Sequence, residues 1–242
     1  MPLLTPAQYV AKREAYAYTD TAVTFHIIQT ESLPHAGTFQ GIFPRSVPRG
    51  NPNGVNLRKF EAICQSVFAD AASALTENAL TPVHESNIKS VALAIVHWKM
   101  ASQGGRANRL MNNVGQQWQP DTHLALLDAY SAQSLSGFRI GGIRIPTASA
   151  FLRFLYPDEF GIVDRRVVTS HTQPVGITTM NLRHDGYIND VTQNVTKYTT
   201  EYIPFLRGEA AGLAGVTFLD YDQSGTPFSS TFRPCDIEMA LF

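Results

Sequence analysis

One carboxylate in this chain sits in a setting suited to chemistry. In the run Ile162-Val163-Asp164-Arg165-Arg166-Val167, Asp164 follows an apolar pair and precedes two arginines. A carboxylate at a helix start beside cationic side chains is held ionised. Such a group can stabilise developing positive charge and can orient or deprotonate a water. The same position also suits a plain helix N-cap, and the two roles are compatible. Upstream lies Ile140-Gly141-Gly142-Ile143-Arg144-Ile145-Pro146-Thr147-Ala148-Ser149-Ala150. Gly141 and Gly142 permit a tight turn, Pro146 fits the first turn of a new helix, and the small residues after it allow close packing. The pattern reads as helix, tight turn, helix. Its turn offers backbone N–H groups at a helix start, where a phosphate is naturally held.

The positioning elements read as mainly helical. A short helix is expected over 5–18, with Thr5 as its cap and Pro6 in its first turn. Residues 30–56 are rich in proline and glycine, carry Arg45 and Arg49, and read as a long loop that either wraps the core or touches a ligand. Residues 1–56 therefore form an N-terminal helix and loop packed on a helical domain of residues 57–242. Within that domain Leu57, Phe60, Ile63, Val67 and Phe68 make one apolar stripe. A second helix over 86–101 is capped by Ser86 and is apolar all round in its middle. Helices follow at 105–114 and at 121–134, the latter opened by Asp121. A polar helix at 189–204, a small hairpin within 216–233 and a closing helix from about Pro234 complete the chain.

With those elements in place, the stretch resembles the helix-hairpin-helix superfamily of DNA glycosylases, which includes endonuclease III, the adenine glycosylases and the 8-oxoguanine glycosylases. The family hairpin reads roughly Leu-Pro-Gly-Val-Gly-x-x-Thr-Ala, and residues 140–148 stand in its place, giving a hairpin at 137–155 and an aspartate loop at 156–167. The family's catalytic aspartate follows its hairpin by the spacing that separates Pro146 from Asp164. The resemblance implies a helical bundle that binds double-stranded DNA through Gly141, Gly142, Ile143, Arg144, Pro146 and Thr147. It further implies extrusion of a modified or damaged base and cleavage of its glycosidic bond with Asp164 as the catalytic carboxylate. Three departures stand out. Pro146 replaces the lysine that bifunctional members use as a Schiff-base nucleophile, so a monofunctional enzyme is expected. Arg144 replaces the second glycine. Only Cys235 follows the aspartate, so no iron–sulfur cluster is expected, whereas a monovalent cation at the hairpin is compatible. The alternatives are a catalytically inactive DNA-binding module of the same fold and an all-α interaction protein whose hairpin touches no DNA.

An extruded base needs a pocket of aromatic and polar groups. His97, Trp98, Lys99 and Trp118 are the candidates. Trp98 in its apolar run is more often core than a base-stacking platform, and Lys99 reads as a snorkelling or phosphate-facing side chain or a displaced nucleophile. Arg106 and Arg109 either grip the backbone or line a solvated face.

Composition sets the outer bounds. The 242 residues carry a net charge of −1, with 44% hydrophobic and 16% charged side chains, which suits a core-forming protein. Residues 85–170 hold nine basic against six acidic side chains, a net +3, while residues 171–242 hold four against eight, a net −4. A modest phosphate-contacting face in the middle is compatible with that split. Two distant cysteines and histidines without ligand spacing give no metal motif. No secretion signal or membrane-length apolar run is seen, so an intracellular, monomeric protein is expected, cytoplasmic in a bacterium or nuclear in a eukaryote. The unusual N-terminal and C-terminal segments suggest a divergent branch acting on modified DNA, in repair or in a defence setting.

Overall fold

The computed structural model describes residues 3–16, 53–100, 116–140, 143–170, 180–222 and 226–241. Its first helix, α1 (Pro6–Glu14), begins as its sequence dictates. Thr5 Oγ1 accepts the Gln8 N–H while the Gln8 side chain accepts the Thr5 N–H, a reciprocal capping box with Pro6 in the first turn. One face of α1 buries Tyr9 and Arg13.

The centre of the molecule is three helices in mutual contact: α2 (Asn53–Thr76), α3 (Pro82–Met100) and α5 (Ile145–Leu155). Leu57, Phe60, Ile63 and Phe68 of α2 are buried as their stripe predicts, and Val67 is half-buried at its edge. Residues 90–96 of α3 are buried all round the helix. The starts of α2 and α3 differ from expectation, as does the end of α1, which stops at Glu14 rather than 18. α2 starts at Asn53, so the last four residues of the expected 1–56 loop are helical. α3 starts at Pro82, not after Ser86, because proline's fixed φ suits a first helical position and the Glu85 N–H already closes on the Thr81 carbonyl. Ser86 lies one turn inside, where its carbonyl accepts the Ser90 hydroxyl.

α4 (Thr122–Ala132) follows Asp121, whose side chain makes no capping bond, and ends on left-handed Gln133. A 3-10 turn, Ser136–Phe138, then folds back on α4 so tightly that a Cβ on Gly137 would stand 2.6 Å from that of Ala129. Arg144 leads into α5, where Phe154 packs edge-on against Phe60 and Trp98 at centroid distances of 4.6 and 4.7 Å. α6 (Arg165–Ser170) is short. The expected polar helix is α7 (Thr192–Lys197), which widens through a π turn at Tyr198–Tyr202 and continues as α8 (Ile203–Gly212). The expected hairpin is present as antiparallel β1 (Thr217–Tyr221) and β2 (Pro227–Thr231), with Leu219 opposite Ser229. α9 (Pro234–Leu241) closes the chain and packs on α1 and α8. The architecture is thus mainly helical with one small sheet.

A buried charge network joins these parts, and no local pattern announces it. Arg13 of α1 reaches Asp236 of α9 at 2.9 Å and Asp220 of β1 at 3.3 Å. Arg58 of α2 also meets Asp220. Glu61 of α2 lies 2.6 Å from Arg153 of α5 and 3.5 Å from both Arg58 and Arg233, while Arg233 pairs with Asp236 at 2.8 Å. These arginines hold the Glu61 and Asp236 carboxyls below their ordinary range against the opposing effect of burial.

Candidate active site

The loop before α6 is fixed from three sides. The Tyr198 and Tyr202 hydroxyls donate to the Gly161 and Ile162 carbonyls at 2.9 and 2.7 Å. The Ser149 hydroxyl, on the small-residue face of α5, accepts the Val163 N–H at 3.1 Å. Gly161 lies so close to α8 and α9 that an added Cβ would stand 2.5 Å from a Leu206 methyl and 3.0 Å from the Glu238 Cβ. With Phe160, Ile162 and Val163 buried, the chain delivers Asp164 to the margin of the core, 22% exposed. Its carbonyl accepts the Val168 N–H, which sets Asp164 at the head of α6.

Lys99, near the end of α3, donates to Asp164 Oδ2 at 2.8 Å with its own side chain 10% exposed. Behind the loop lies Glu238 of α9, 2% exposed. Burial, opposed by the Lys99 and Arg153 charges and by a hydrogen bond from the Ile162 backbone, pushes the Glu238 carboxyl up to about 7. Burial, reinforced by the Glu238 charge, raises the Tyr198 and Tyr202 phenols, so both remain donors to the loop. Lys99, Asp164 and Glu238 therefore form one cluster built from α3, the loop and α9. Glu238 escaped the sequence analysis; its signal was a carboxylate inside the otherwise apolar run Ile237 to Phe242.

The hairpin residues take a different arrangement from the one expected. Gly141 and Gly142 lie outside the described residues. Ile143 and Thr147 are buried, Pro146 is half-buried and Arg144 is exposed. The N–H groups of Thr147 and Ala148 bond to the Arg144 carbonyl, and that of Ile143 to the Ile140 carbonyl. The Ile145 N–H donates to the Asp190 carboxylate at 3.2 Å, and Arg139 pairs with the same carboxylate at 3.1 Å. An internal carboxylate thus stands where a phosphate was expected, and the N–H groups of 143, 145, 147 and 148 are all engaged. A carboxylate 45 residues downstream of Ile145 could not be matched to that turn from spacing.

The described pocket candidates, Trp98, Lys99 and Trp118, do not assemble into one site. The His97 side chain lies outside the described residues, as do Arg45, Arg49, Arg106 and Arg109. Trp98 is a core residue, 9% exposed and edge-on to Phe154. Trp118 is half-buried beneath Lys89, whose Nζ lies 5.7 Å from its ring centre, in a shallow groove of about 340 Å³ that also takes in Glu85 and His123. Lys89 and Lys99 stand ten residues apart on α3, about 15 Å along a helix, so this groove is remote from Asp164. Of the described candidates, Lys99 is the one placed on Asp164.

Among the described residues no cluster of histidine, cysteine and carboxylate side chains has the makings of a metal site. Cys64 and Cys235 are unbridged and buried, and burial pushes the Cys235 thiol up to about 12, which leaves it protonated and unreactive. Among the described residues no helix is long and apolar enough to cross a membrane. No protein-family model matches the chain, and no curated protein or solved structure does so either.

Proposed function

We propose that the chain is a monofunctional DNA glycosylase in which Asp164 stands beside the anomeric carbon of an extruded nucleotide. The observation that carries this reading is the placement of Asp164: a carboxylate at the core margin, on a loop held by Tyr198, Tyr202 and Ser149, eighteen residues beyond Pro146 in the first turn of a close-packed helix. In the reaction the C1′–N bond breaks with its electron pair leaving on the base, and positive charge grows on the sugar. The Asp164 carboxylate stabilises that charge and orients a water, whose oxygen bonds to C1′ while its proton passes to the carboxylate. A fixed carboxylate suits this role because its geometry needs no reorganisation as charge develops. DNA approaches through the Arg144 face, where phosphate must displace Asp190 from the α5 start or bind beside it.

A second reading, a DNA-binding module without turnover, draws on the Lys99 ammonium already seated on Asp164. The two separate in one experiment. Duplexes carrying oxidised, alkylated, deaminated or hypermodified bases are incubated with wild type and Asp164→Asn, then treated with hot alkali. Strand cleavage after alkali only, lost in Asp164→Asn, supports the glycosylase. Cleavage without alkali would sink the monofunctional assignment and point to Lys99 as the attacking amine. Salt-sensitive binding with no base released from any duplex would favour the module.

A further inference from the structure

Lys99 has two carboxylates within its influence, not one. Asp164 takes its hydrogen bond, while Glu238, sealed behind the same loop, feels the Lys99 charge more strongly than any other side-chain charge. Glu238 Oε2 is buried and has no hydrogen-bond partner. An ionised oxygen in that state is costly, so it needs either a proton or a cation. Arg153 also acts on Glu238, and its Nε and Nη1 are buried without a hydrogen-bond partner, but it and the other charges nearby have ion-pair or hydrogen-bond partners of their own. Arg153 of α5 pairs with Glu61, Arg13 of α1 takes Asp236 and Asp220, and Glu209 of α8 accepts the Tyr9 hydroxyl. Tyr198 and Tyr202 of the π turn donate to the loop carbonyls. Of the two cations that act on Glu238, Lys99 is the one that also bonds to Asp164.

We propose that Glu238 is a positioning residue for Asp164: on losing its proton it draws the Lys99 ammonium off Asp164, and on regaining it the ammonium returns. The consequence for catalysis rests on the glycosylase reading. With Glu238 protonated, Lys99 and Asp164 make a neutral pair, and the ammonium offsets the negative charge meant for the sugar. With Glu238 ionised the cluster carries one net negative charge and Asp164 faces the sugar with its charge less compensated. Its carboxyl, raised to about 7, puts this exchange near neutrality. The single-turnover rate of base release then rises about tenfold between pH 6 and pH 8, as a second charge is added to a water-poor site.

The test begins with carbon-13 NMR of the Asp and Glu side-chain carboxyls in the full chain. In the wild type, the Glu238 resonance titrates near neutrality and the Asp164 resonance moves with the same midpoint. Glu238→Gln, nearly the same shape, abolishes that Asp164 response, and Lys99→Met shifts the Glu238 midpoint upward. An Asp164 resonance that stays still while wild-type Glu238 titrates overturns the proposal, and this measurement needs no variant to fold. Base release against pH is the second readout: Glu238→Gln stays at the low rate and loses the rising limb. A coupled titration without base release from any duplex supports the exchange and sinks the glycosylase reading. Base release with the same pH limb in wild type and Glu238→Gln overturns the exchange and leaves that reading standing.

Discussion

Replacing Glu61 by glutamine removes one charge from the centre of the buried network. The Glu61 side chain is 4% exposed and lies 2.6 Å from Arg153, itself 1% exposed, and 3.5 Å from Arg58 and Arg233. Arg58 keeps Asp220 and Arg233 keeps Asp236, but Arg153 loses its only ion-pair partner among the described residues. Its guanidinium is left buried, with the Met239 sulfur at 3.7 Å and the Phe154 ring as its neighbours. Breaking one side of a buried pair costs about 3–5 kcal/mol, because the surviving charge stays desolvated. For a chain of this size that lowers the melting midpoint by about 10 °C. Urea unfolding at pH 7 measures the free-energy loss, and repetition in 1 M NaCl separates buried from surface electrostatics, since only the latter is screened. The reasoning also requires Glu61→Leu combined with Arg153→Met to recover most of the loss, as both charges then leave together. A loss below about 1 kcal/mol, or one that disappears in high salt, would refute it.

Three further outcomes are expected. Glu238 keeps its proton in the fold up to about 7 while the unfolded chain releases it near the ordinary value of 4.5, so between those limits the fold binds more protons and its stability falls as pH rises, by roughly 3 kcal/mol from this group; urea titrations from pH 4 to 8 should show Glu238→Gln free of that decline. Gly161→Ala forces a methyl against Leu206 and Glu238 and should cost about 1–3 kcal/mol, with the Asp164 carboxyl resonance displaced; an unchanged melting midpoint argues against the close approach. Asp190→Ala opens the Ile145 N–H and should tighten duplex binding several-fold at low salt, as read by fluorescence anisotropy, if phosphate seats at the start of α5; equal or weaker binding would place the contact elsewhere.

The helical elements were largely legible because their signals are local. The Thr5–Gln8 capping box, the Leu57–Phe68 stripe, the apolar stretch of α3 and the proline starts of α5 and α9 each lie within a few residues of what they specify. The shift of α3 to Pro82 shows how such signals compete: a proline in the first turn outweighed a serine four residues on. The candidate site was legible in one part only. The apolar pair ahead of Asp164 and the distance from Pro146 singled out the carboxylate, but its partner was one of four weighed for the pocket. Trp98 and Trp118 belong to other surroundings because an aromatic in a helix carries no mark of whether its face meets core or solvent.

What the sequence by itself determined is most of the described helices, the hairpin and the carboxylate at the end of an apolar run; the helix expected at 105–114 lies outside the described residues. All follow from periodicity, capping and steric limits that act over a turn or two of chain. What only the tertiary structure decided is which charges meet. Arg13 and Asp236 are separated by 223 residues, Lys99 and Asp164 by 65, and Ile145 and Asp190 by 45. Each pairing exists because packed helices bring distant segments into a low-dielectric interior, where a charge must find a partner, and no short-range pattern specifies which partner that will be.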